Sequence, residues 1–139
     1  MFRRYPWSTA LIVVIWVLCL IPVFPETPLD DVNLIDKWTH IVMYVGLCVV
    51  IWGEYLWKRK NEKPNGKGFL ARHGASLFLF GFVAPALMGG LIELAQAYCT
   101  GGRRSGEWLD WVAYVAGVVV GCAIGILLAA CRARARKDT

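Results

Sequence analysis

Asp36, Lys37 and His40 fall within five residues, and Tyr44 follows one helical turn further on. Wound at about 100° per residue, the four share an arc of about 100° on one helix face. Further along stand Glu93 and Gln96, spaced as neighbours on one helix face, then Arg104 and Asp110. These types support three chemistries. His40 can act as a general acid or base, held by Asp36 or Glu93. Lys37 and Arg104 can bind phosphate or carboxylate, and arginine offers a two-pronged fork. Asp36, His40, Glu93 and Asp110 are hard N/O donors of the kind that hold a metal, though their spacing names no ion. They name no particular cofactor.

The elements that carry these groups are read from hydropathy. The chain is 58% apolar and 13% aromatic, above the usual soluble apolar share of about 45–50%. A soluble core of one 139-residue domain cannot hide that much apolar surface, so the expected solvent is lipid. Four apolar stretches stand out, at 7–24, 38–57, 74–98 and 108–131. Each is near the roughly 20 residues that cross a bilayer as a helix. Helices satisfy their own backbone in lipid, and the alternation of a membrane barrel is absent. The expected fold is all-α, with four transmembrane helices in one domain over 1–139. The first stretch follows Arg3 and Arg4, but IPVFPETP after it offers no small-x-small cleavage site, so it reads as a retained helix.

Orientation follows the basic residues. The N-terminal tail, the middle loop (58–72) and the C-terminal tail hold twelve Lys and Arg, against three on the other side: Lys37, Arg103 and Arg104. Both termini are therefore expected in the cytoplasm, and the polar set faces outward. The net charge of +5 is mostly this topology signal, and the basic segments lack a nucleic-acid-binding fold. The tail RARARK suits anionic headgroups. Five cysteines show no CxxC or Cys/His metal spacing, and four lie in or at the ends of spans, so no disulfide framework is expected.

Pro85, with Gly81, Gly89 and Gly90 nearby, predicts a distortion in the third span. Gly117, Gly121 and Gly125 form a small-residue stripe on the fourth. Such a stripe serves packing within the chain or a seam between two copies. Trp7 and Trp57 suit an inner aromatic belt, and Trp38, Trp108 and Trp111 an outer one. The loops at 25–36, 58–68 and 99–107 read as polar connections. In the cytoplasmic half, Glu54 finds Lys58 at i+4, and His73 falls in the basic loop.

Three separate segments thus deliver polar groups to one depth. Asp110 caps the face that carries the glycine stripe, and must point where the stripe points. Glu93 lies about four residues inside the apolar boundary, where a carboxylate costs about 2.5–3.5 kcal/mol to insert. Membrane helices also use buried polar pairs as packing glue, but glue does not require concentration at one end.

In order, the set resembles the VanZ-like family of bacterial membrane proteins. Its Asp-Lys-x-x-His-x-x-x-Tyr segment is matched by Asp36, Lys37, His40 and Tyr44. Its Glu-x-x-Gln is matched by Glu93 and Gln96. Its Arg six residues before an Asp is matched by Arg104 and Asp110, and the Gly seven residues later by Gly117. The likeness spans about 34–121. It departs at Tyr114, where the family usually has Asn. The family is named for a protein linked to teicoplanin resistance, so the resemblance implies a role in the bacterial cell envelope, at the cytoplasmic (inner) membrane.

Two functions are open from the residues. In the first, the set binds or modulates a lipid-linked or amphiphilic molecule at the outer leaflet; a lipoglycopeptide or a cell-wall precursor lipid fits. Asp36, Lys37, Tyr44, Gln96 and Arg104 would then contact the ligand. In the second, the protein is an enzyme acting on such a lipid, with His40, Glu93 and Asp110 catalytic. Transport fits less well, since polarity at one end offers no continuous path.

Overall fold

The computed structural model describes residues 5–20, 33–59, 69–99 and 108–135. The three loops named above lie outside them, except for the residues taken into helices. Five α-helices follow in order: α1 (Pro6–Leu20), α2 (Asn33–Lys58), α3 (Phe69–Phe78), α4 (Ala84–Cys99) and α5 (Trp108–Ala135). A π-helical turn, Leu79–Val83, joins α3 to α4. Among the described residues there is no strand.

Three stretches are long and apolar enough to cross a membrane: Lys37–Lys58, Ala71–Tyr98 and Trp108–Ala135. The first apolar stretch forms a shorter helix of 15 residues. Helices overrun the apolar segments because backbone hydrogen bonding continues into polar sequence. Asp36 and Lys37 therefore lie inside α2, and Arg72 and His73 lie inside α3 rather than in the preceding loop.

The distribution of polarity is that of a protein dissolved in lipid. Val42, Phe78, Leu87, Leu91, Val119 and Leu127 are exposed, while Ser8, His40, Glu54, His73, Glu93, Gln96 and Asp110 are buried. In water this arrangement would be unfavourable; against acyl chains the apolar exterior costs nothing and the polar groups find partners inside. Trp7 and Trp57 are exposed near one end of the helices, and Trp38, Trp108 and Trp111 near the other.

The glycine stripe of α5 packs on α2. A Cβ at Gly117 would meet the Ile41 carbonyl oxygen at 2.6 Å, and one at Gly121 the Cys48 Cβ at 2.5 Å. Gly125 lies against the Trp52 indole. The stripe thus serves packing within the chain. Close approach of this kind replaces the hydrophobic drive that lipid removes.

The distortion at Pro85 has a defined form. Proline has no N–H, so Gly81 O, four residues back, receives no helical bond from position 85. The turn loosens, and the Ala84 N–H reaches Leu79 O, five residues back. Gly81 O accepts instead from two thiols, Cys48 Sγ at 3.4 Å and Cys122 Sγ at 3.1 Å. Sulfhydryls are weak donors, and two of them share the carbonyl. Gly81 itself is needed for space, because a Cβ there would stand 2.9 Å from Trp52 Nε1. Cys48, Cys122 and Cys131 are in no disulfide.

Candidate functional site

Helical spacing places Lys37, His40 and Tyr44 on the face of α2 turned to α5, and Asp110, Tyr114 and Gly117 on the face of α5 turned to α2. Gly117 lets these faces close. At the end of the bundle, Lys37 Nζ lies 3.2 Å from Asp110 Oδ1, with the lysine side chain 24% and the aspartate 11% exposed. Asp110 sits in the first turn of α5, where the helix dipole also favours a carboxylate.

One turn deeper, Tyr114 is the hub. Its ring meets His40 edge-on at 4.8 Å and Tyr44 at 4.6 Å. Tyr44 and Tyr114 are fully buried. Helix α4 can approach because Gly89 has no side chain; a Cβ there would come within 2.7 Å of the Tyr114 ring. One turn beyond Gly89, the buried Glu93 carboxylate neighbours both phenols. Gln96, a turn nearer the helix end, donates from Nε2 to Cys19 O at 2.9 Å. That carbonyl is in the last turn of α1, where helical partners run out, so Gln96 ties α1 to α4.

The structure brings Lys37 to Asp110, and gathers His40, Tyr44 and Glu93 around Tyr114, while Gln96 turns to α1. Asp36 lies in the first turn of α2 and its side chain is outside those described; Arg104 lies wholly outside the described residues. Gln96 has a structural bond within the bundle. Among the described residues no three His, Cys, Asp or Glu side chains stand close enough to hold a metal ion, so His40, Glu93 and Asp110 do not form such a set. Tyr114, which helical spacing puts on the Asp110 face and which departs from the family pattern, is not among the expected site residues, yet it occupies the middle of the group.

A second polar group at the opposite end is not evident from the sequence. Glu54 does not rely on Lys58. Its carboxylate accepts from Ser8 Oγ at 2.6 Å and Ser8 N at 3.0 Å, with a longer contact to Trp7 N at 3.4 Å. A residue of α2 thus caps the N-terminus of α1, where backbone N–H groups have no helical acceptor. Lys58 instead lies over the Tyr5 ring at 4.5 Å. His73 is buried in α3, with Nδ1 3.1 Å from Tyr55 Oη. Spacing within one helix could not reveal these contacts, because each joins different helices.

Comparison with protein-family models, with curated proteins and with solved structures gives no match. The apolar helices with their polar interior define a multi-pass membrane protein.

Proposed function

We propose that this chain is a VanZ-like protein of the bacterial inner membrane that binds an amphiphilic or lipid-linked anion through the polar group at the Lys37–Asp110 end. It spans the membrane four times with both termini in the cytoplasm, so that this end faces outward. The excess of Lys and Arg in the two tails and the middle loop supports the orientation. The observation that carries the functional reading is the layered arrangement: a partly exposed ion pair of Lys37 and Asp110 lies above a buried group of His40, Tyr114 and Glu93. Packing glue needs pairs, whereas this group stacks a cation, an imidazole, two phenols and two carboxylates at one bundle mouth. The ligand's charged head meets Lys37, and its apolar tail remains in lipid beside Trp38, Trp108 and Trp111.

The test compares cells making equal amounts of the wild type, His40→Asn and Glu93→Gln. Teicoplanin susceptibility and the envelope lipids, by mass spectrometry, are read together. Binding predicts that the wild type lowers susceptibility, that both variants lose the effect, and that lipid composition is unchanged. A lipid that accumulates or vanishes only with the wild type would replace binding by catalysis. Equal susceptibility and equal lipids in all three strains would defeat the proposal.

A further inference from the structure

The opposite end of the bundle carries a different charge pattern, and the argument from it does not depend on the function proposed for the Asp110 end. Five described cations gather there: Lys58, Arg59, Arg72, Arg132 and Arg134. The described carboxylate at this end is Glu54, and both its oxygens face the N-terminus of α1 in the interior. It is therefore not placed to neutralise the basic surface. Among the described residues, Lys58 and Arg132 have no carboxylate partner.

Two features hold these cations at a fixed depth. Tyr5 and Tyr55 stack in parallel, 6.4 Å apart and 5° from coplanar, with Lys58 over one ring and Arg59 over the other. Arg132 donates one N–H to Leu56 O at 2.9 Å, near the end of α2, and the remaining guanidinium donors stay available. The exposed Trp7 and Trp57 belong to the same level. Indoles settle at the headgroup boundary, so the cations sit where lipid phosphates lie. A stacked aromatic pair and a helix-end carbonyl make this more than a flexible basic tail, because Lys58 and Arg132 are anchored while their charge points to the interface.

We propose that this end of the molecule is a seat for the phosphate of an anionic phospholipid, held by Lys58 and Arg132 beside the Tyr5–Tyr55 stack. Charge complementarity selects an anionic lipid over a zwitterionic one, whose ammonium would meet the same cations. Each cation near an anionic surface strengthens attraction by roughly fivefold.

The experiment places the full chain in nanodiscs of phosphatidylcholine containing a minor fraction of phosphatidylglycerol. Lipid retained through native mass spectrometry is then counted by headgroup. The wild type should retain phosphatidylglycerol in excess of its share, and Lys58→Gln with Arg132→Gln should lower that excess by about 25-fold. Because Arg132 also bonds Leu56, Lys58→Gln with Arg132→Lys serves as a second variant that keeps one charge and should lose about fivefold. Retention in proportion to bulk composition by the wild type would overturn the proposal, as would an unchanged excess in the folded double variant. An excess abolished equally by Lys37→Gln, at the other end, would also overturn it.

Discussion

Glu54 offers a quantitative test of how the first helix is held. Its carboxylate accepts the Ser8 hydroxyl at 2.6 Å and the Ser8 amide at 3.0 Å, and it is 7% exposed, so solvent screening is slight. A hydrogen bond to a charged group contributes about 1.5–3 kcal/mol, and a buried donor left unsatisfied costs about 1–3 kcal/mol. Glu54→Ala removes the acceptor from both donors and should cost about 3–4 kcal/mol. Glu54→Gln keeps one acceptor oxygen but loses the charge that favours a helix N-terminus, and should cost about 1–2 kcal/mol. Ser8→Ala removes one donor. The Ser8–Glu54 double-mutant cycle should give a coupling of about 1.5–3 kcal/mol. The assay is reversible unfolding in mixed detergent micelles, followed by helical circular dichroism. A coupling below about 0.5 kcal/mol, within the usual error of additivity, would refute the cap. So would a Glu54→Gln protein as stable as the wild type.

The same unfolding assay tests two other features. Gly121→Ala should destabilise by about 1–3 kcal/mol, because its Cβ would lie 2.5 Å from Cys48 Cβ. Gly53→Ala, with nothing within 4 Å of its Cβ, should be neutral or gain up to about 1 kcal/mol of helix propensity. If both substitutions act alike, the α2–α5 contact is wrongly placed. Replacing Cys48 or Cys122 alone by Ala leaves one thiol on Gly81 O, whereas replacing both leaves that carbonyl unsatisfied at a cost of about 1–3 kcal/mol. The double variant should therefore lose more than the two single losses combined, and simple additivity would contradict the shared-carbonyl account.

Much of this architecture is legible in the sequence because lipid imposes a coarse code. Apolar runs mark the long helices, and the Gly117, Gly121 and Gly125 period marks the face of α5 that packs closely. Pro85 announces a distortion. The helix limits are less legible, since hydropathy reports the lipid boundary while hydrogen bonding sets the helix end; α2 thus begins at Asn33, before the apolar run. The Lys37–Asp110 pairing follows from placing two helix mouths together. The central place of Tyr114 does not, because it depends on Gly89 admitting α4. Glu54 shows the limit most clearly: an i+4 lysine is a sound local partner, yet a helix N-terminus offers several donors at once. His73 was hidden for a related reason, since its partner Tyr55 belongs to another helix.

Direct binding at the Lys37–Asp110 end is the decisive observation for the functional account. The full chain in phosphatidylcholine nanodiscs would be titrated with a polyprenyl phosphate and, separately, with teicoplanin, while tryptophan fluorescence is recorded. Trp38, Trp108 and Trp111 flank this end and are exposed to report occupancy. The account predicts a saturable change with at least one of these probes. It also predicts that Lys37→Gln weakens binding by about 10- to 100-fold, as expected for loss of a charged hydrogen-bond donor, while Glu54→Gln leaves affinity unchanged. No saturable response to either probe, or equal affinity in the wild type and Lys37→Gln, would contradict it.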